Sequence, residues 1–123
     1  MTKTYKDAIA GKRISAVGLR YDAREFAVGA KVPRSNVWID NTRTTKKLPG
    51  TCTIGVGLGI DEEGLIDAPD DWISIDDPRI MEIAKQHDYK FGHAYLVAGE
   101  YQNDGEDENE MIIADAVVIA KLW

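Results

Sequence analysis

The sequence predicts one α+β domain over residues 1–123, built on a mainly antiparallel β-sheet with one well-signalled α-helix. Three observations carry that expectation. The segments 94–101 and 111–122 are dense in Val, Ile and Tyr, residues that fit a pleated, half-buried surface. Apolar residues recur with period two further upstream, at 13–20 and 25–32. Only the stretch opening at Asp77-Pro78 joins an acidic N-cap, a proline at the first helical position and an apolar face of Ile80, Ile83 and Ala84.

Taken in order, residues 3–11 read as a short helix with Tyr5, Ala8 and Ile9 on one side and Gly11 as its C-terminal stop. In 13–20, Ile14, Ala16 and Gly18 alternate with Ser15, Val17 and Leu19. In 25–32, Phe26, Val28, Ala30 and Val32 alternate with Glu25, Ala27, Gly29 and Lys31. The joining residues 21–24 are short enough for a hairpin, and Pro33, which cannot donate to a ladder, closes the second strand. A brief third strand is expected over 36–40 with Trp38. Residues 51–60 read as a strand whose glycines at 55, 57 and 59 share one face, so another part of the structure must approach closely there. An acidic connection, 61–71, leads to the helix, expected to end near Asp88. The acidic segment 103–110 then joins the last two strands as a long hairpin loop.

Composition narrows the functional classes. With 44% hydrophobic and 29% charged residues the chain resembles ordinary globular proteins and not disordered ones. No apolar run approaches the roughly 20 residues that span a bilayer. The start, MTKTYKDAIAGKR, has no apolar signal region, so a cytoplasmic location is expected. The single Cys52 rules out an intramolecular disulfide and a Cys-rich zinc site. Charge is split unevenly. Residues 1–60 hold eleven Lys and Arg against four Asp and Glu (11 − 4 = +7), and residues 61–123 hold four against seventeen (4 − 17 = −13), which sum to the net −6. That net charge opposes generic binding to duplex nucleic acid. A local basic pocket for a small anion is still allowed, and opposed faces favour a homo-oligomer.

The chemical motifs are mostly weak. Asp104–Glu110, DGEDENE, fails the EF-hand pattern: with Gly105 at the sixth position, the twelfth is Met111 instead of glutamate. A solvated charged turn is the plainer account. The Gly55-Val-Gly-Leu-Gly59 run lacks GxGxxG spacing and a following helix, which excludes a dinucleotide-binding turn. His87 at a helix end, His93 opening a strand and Cys52 between threonines form no coherent nucleophile–base–orienter set, although a Cys52–His93 pair is conceivable. Trp72 and Trp123 read as core or interface anchors. The richest segment is Arg34, Ser35, Trp38, Arg43, Thr44, Lys46, Lys47 and Thr51. Guanidinium forks and ammonium groups hold phosphate, hydroxyls hold ribose, and an indole face stacks on a base. The competing account is a solvated loop with Trp38 in the core.

SNVWID (35–40), LPGT (48–51), DDP (76–78) and YLVAGEYQNDGEDENEMIIADAVVIA (95–120) together resemble a family of small phage-encoded accessory proteins. The likeness covers the last two-thirds of the chain, and the first 30 residues add nothing to it. The resemblance implies no catalytic residue. It implies a context in which such proteins act by binding, including anti-defence proteins that sequester host nucleotide signals or block a nuclease. The expectation is therefore a non-enzymatic protein that binds a small phosphate-bearing ligand, a sponge for a nucleotide-type immune signal, with no cofactor and no metal. The rival expectations are an acidic inhibitor bound directly to a nuclease or other nucleic-acid-binding protein, and a small enzyme acting on a nucleotide.

Overall fold

In the computed structural model, which describes residues 5–32, 36–38, 51–68, 71–86, 92–103 and 110–123, the sheet is organised around β1 (Ala16–Asp22). All seven residues of β1 are buried, so both of its faces are covered. Its two edges are both taken. β3 (Thr51–Gly57) pairs antiparallel on one side and β6 (His93–Asn103) on the other. β6 pairs antiparallel with β7 (Glu110–Lys121), giving the predicted C-terminal hairpin. β2 (Asn36–Trp38) lies antiparallel to β7 and parallel to β3, which closes a five-stranded barrel in the order β1-β3-β2-β7-β6. The fold is thus α+β with a mainly antiparallel sheet, as expected from sequence.

Period-two alternation sorts the side chains into two clusters. Val17, Leu19 and Tyr21 of β1, Ala94, Leu96 and Ala98 of β6, and Val117 and Ile119 of β7 pack on one side. They meet α1 (Tyr5–Ile9), α2 (Pro78–Gln86) and the hairpin of β4 (Leu65–Ala68) and β5 (Asp71–Ser74) through Ala8, Ile80, Ala84, Ile66 and Ile73. Ala16, Tyr95, Val97, Ile113, Ala116 and Val118 form the other cluster, with Val32, Phe26 and Val28 against it. Ile113 shares a side with the even-numbered Ala116 and Val118 because β7 carries an extra residue: 98–100 of β6 spans 114–117 of β7. Asp115 at this bulge has φ 52°, the left-handed region.

Both helices stop and start as their residues dictate. Gly11 takes φ 72° just beyond α1. Asp77 caps α2, its carboxylate accepting the Arg79 backbone N–H at 2.8 Å with Pro78 between them. The close approach expected at the glycines is met at Gly57, where a Cβ would lie 2.6 Å from Ile66 Cγ2 and 2.8 Å from the Asp67 carbonyl. That neighbour is β4. It and β5 form a hairpin that begins inside the 61–71 stretch expected to be only a connection and runs on to Ser74.

The expected hairpin of 13–20 with 25–32 is corrected. β1 runs on through Tyr21 and Asp22, and the 25–32 segment cannot pair with it because β3 and β6 hold both edges. Lys31 instead bridges Val117, in the same register in which Asn36 and Val37 of β2 pair with Ile112 and Met111. The 29–32 part of that segment is therefore laid along β7, in line with β2. Trp72 is also corrected as a core residue: Ile73 points inward from β5, so Trp72 points out and is 55% exposed. Trp123 does reach the core, its ring 6.3 Å from that of Tyr21, while its carbonyl accepts the Ala94 N–H at 3.1 Å.

Candidate functional site at the Asp22 end of the barrel

Where β1 ends, alternating side chains place Arg20 and Asp22 on the face that Ala16 shares, and both are 1% exposed. The Asp22 carboxylate is fully engaged. One oxygen accepts Nε and a terminal NH2 group of Arg20 at 3.2 and 2.9 Å, and also an NH2 group of Arg24 at 2.9 Å. The other accepts the Arg24 backbone N–H at 2.9 Å and its Nε at 3.0 Å. Burial works to raise the Asp22 pKa, but the hydrogen bonds from Arg24 and Arg20 outweigh it and leave the carboxyl below the ordinary carboxylate range. The same contact raises Arg24 above its usual value. Two guanidiniums thus share one carboxylate.

Arg24 is the part of the node that reaches solvent, its side chain 49% exposed. Its guanidinium stands 5.4 Å from the Phe26 ring centroid, and Phe26 meets Tyr95 edge-on at 5.6 Å. The fully buried Tyr95 hydroxyl donates to the Arg24 carbonyl at 3.0 Å and accepts the Phe26 N–H at 2.8 Å. One side chain of β6 therefore fixes the backbone on which Arg24 is mounted. His93, paired in register with Asp22, lies 6.0 Å from the Tyr95 ring, and its Nδ1 is 3.3 Å from the Trp123 carbonyl. A carbonyl only accepts, so that bond puts a proton on Nδ1. Lys121 and Glu25 form an exposed pair at 2.9 Å beside this end.

The segment expected to hold ligand returns to the sheet here. Thr51 opens β3 opposite Asp22. Trp38 is a β2 position opposite Glu110 and Ile54. Arg34, Ser35, Arg43, Thr44, Lys46 and Lys47 lie outside the described residues, as do His87 and the 104–109 part of the acidic loop. Cys52 pairs with Tyr21 and His93 with Asp22, so β1 stands between the strands carrying Cys52 and His93. Among the described residues no group of three or more His, Cys, Asp or Glu could hold a metal ion. No helix among them is long and apolar enough to cross a membrane.

No family model matches the chain, and no curated protein or solved structure matches it significantly. The sequence reading missed Arg20, Asp22, Arg24 and Tyr95. A signal for the first three was present: Arg-x-Asp-x-Arg places opposite charges at alternate positions, the spacing that brings them to one face of a strand. Treating 21–24 as a turn hid it.

Proposed function

We propose that the protein is a non-enzymatic binding protein for a small phosphate-bearing ligand, held where the 34–51 segment meets the Asp22 end of the barrel. The observation that carries this reading is the pairing of Thr51 with Asp22. It returns a segment with two Arg and two Lys to a node where two further guanidiniums share one carboxylate, one of them half exposed. Phosphate binding by forked guanidiniums gains from such preorganised, partly desolvated charge. In the phage-type context that the sequence resembles, the ligand is a nucleotide-type signal and the protein sequesters it. The opposed charges of the two halves support assembly as a homo-oligomer.

The test is calorimetry with a panel of cyclic dinucleotides and ADP-ribose derivatives. Arg43→Ala or Arg24→Ala is expected to weaken binding roughly ten- to a hundredfold, the value of a lost charge-assisted hydrogen bond. Absence of binding by the wild-type protein, or binding untouched by both changes, refutes the reading. Chemical conversion of the bound nucleotide would show an enzyme.

A second reading has its own observation. Asp61, Glu62, Glu63, Asp67, Asp71, Asp76 and Glu82 are all exposed along the β4–β5 hairpin and α2. Such a surface suits a direct acidic inhibitor of a nucleic-acid-binding protein, and a stable complex with a nuclease in the absence of any nucleotide would favour it.

A further inference from the structure

A polar recess lies at the other end of β1, six residues and roughly 20 Å along the strand from Asp22. It has a volume of about 340 Å³ and is lined by Lys12, Arg13, Lys31, Glu100 and Asp115, with Gly99 also in its wall. Its walls are pinned by backbone hydrogen bonds. The Ser15 N–H donates to the Gly99 carbonyl at 2.9 Å, which holds the 12–14 segment against β6. The Gly29 and Val32 N–H groups donate to Val118 and Ala116, and the Val118 N–H donates to Ala30, which holds Lys31 against β7.

No ion pair among the described residues neutralises the charges that line this recess. Lys12, Arg13 and Lys31 make no ion pair with another described residue, and neither do Glu100 and Asp115, although all five line one cavity. The β7 bulge, with Asp115 at φ 52°, turns the chain at this spot. Bulges re-aim side chains and are frequent beside functional sites. Gly99 permits the bulge, since a Cβ there would lie 2.5 Å from the Ala114 carbonyl oxygen. Three cations fit an anionic group, and two carboxylates fit neighbouring hydroxyl donors. No aromatic side chain among the described residues lines the recess, so a nucleobase would find no stacking face.

We infer that this recess binds a soluble phosphorylated polyol of the sugar-phosphate class, its phosphate on Arg13, Lys12 and Lys31 and its hydroxyls on Glu100 and Asp115. The site is separate from the one at Asp22 and does not depend on it.

Calorimetry with glucose 6-phosphate, inorganic phosphate and glucose tests the assignment. Glucose 6-phosphate should bind at least tenfold more tightly than either fragment. Arg13→Ala and Lys31→Ala should each weaken it about tenfold, with the thermal midpoint nearly unchanged because both residues are exposed. Asp115→Asn keeps a side chain that tolerates left-handed backbone while removing the charge. It should lower the preference for glucose 6-phosphate over inorganic phosphate. No binding of glucose 6-phosphate, or binding indifferent to both cation changes, overturns the inference. So does binding confined to vesicles containing phosphatidylinositol 4-phosphate, which would assign the recess to a lipid headgroup.

Discussion

Thr51 sits opposite Asp22 in the β1–β3 ladder, and His93 sits opposite the same aspartate in the β1–β6 ladder. Three strand ends therefore meet at a carboxylate that is buried and held by two arginines. This is why a segment remote in sequence from Arg20 and Arg24 begins its return beside them.

Asp22→Asn should destabilise the fold by about 3–5 kcal/mol, because it removes the charge of the carboxylate that the buried Arg20 guanidinium bonds. Arg24→Ala should cost about 1 kcal/mol or less, since that side chain is half exposed. The pH dependence follows from the lowered Asp22 pKa. Its stabilisation is fully present above the unfolded carboxyl value, about 3.9, and is lost as pH falls through the lower folded value. Urea midpoints measured from pH 6 down to pH 2 should fall steeply at the acid end for the wild type and less steeply for Asp22→Asn. Parallel curves would show that Asp22 is not the titrating partner.

Tyr95→Phe removes one hydroxyl that serves two backbone groups, the Arg24 carbonyl and the Phe26 N–H. A cost of about 1–3 kcal/mol is expected for leaving buried or part-buried groups unsatisfied. Hydrogen exchange should quicken at Phe26 well beyond its change at Leu96, whose amide belongs to the β6 ladders. Equal acceleration at both would mean that the hydroxyl contributes only to global stability.

Gly99→Ala should cost about 1–3 kcal/mol, because its Cβ would meet the Ala114 carbonyl oxygen at 2.5 Å and Ile113 Cγ2 at 2.6 Å in a packed sheet. Gly11→Ala meets no atom within 4 Å and is penalised only by its φ of 72°, so about 1 kcal/mol is expected there. Thermal midpoints of the two variants rank the effects, and a milder change at Gly99 would mean that the bulge yields readily.

The sequence by itself determined the elements whose signals are local. Asp77-Pro78 fixes the start of α2 through a cap that needs only its own neighbours. The Val- and Ile-rich 94–101 and 111–122 segments commit to strands because their side chains suit a sheet buried on both faces. The glycine at 57 correctly demanded a close neighbour without saying which one it was. Of the candidate site, the cationic 34–51 segment is legible as composition, but the pairing of Thr51 with Asp22 is not. Tertiary structure decided that pairing, together with the fate of 25–32, the outward Trp72 and the bulge at Asp115. Each depends on which strand occupies which edge. A strand has two edges, β1 gave both to β3 and β6, and alternation in the sequence records which side chains share a face but not which neighbour lies alongside.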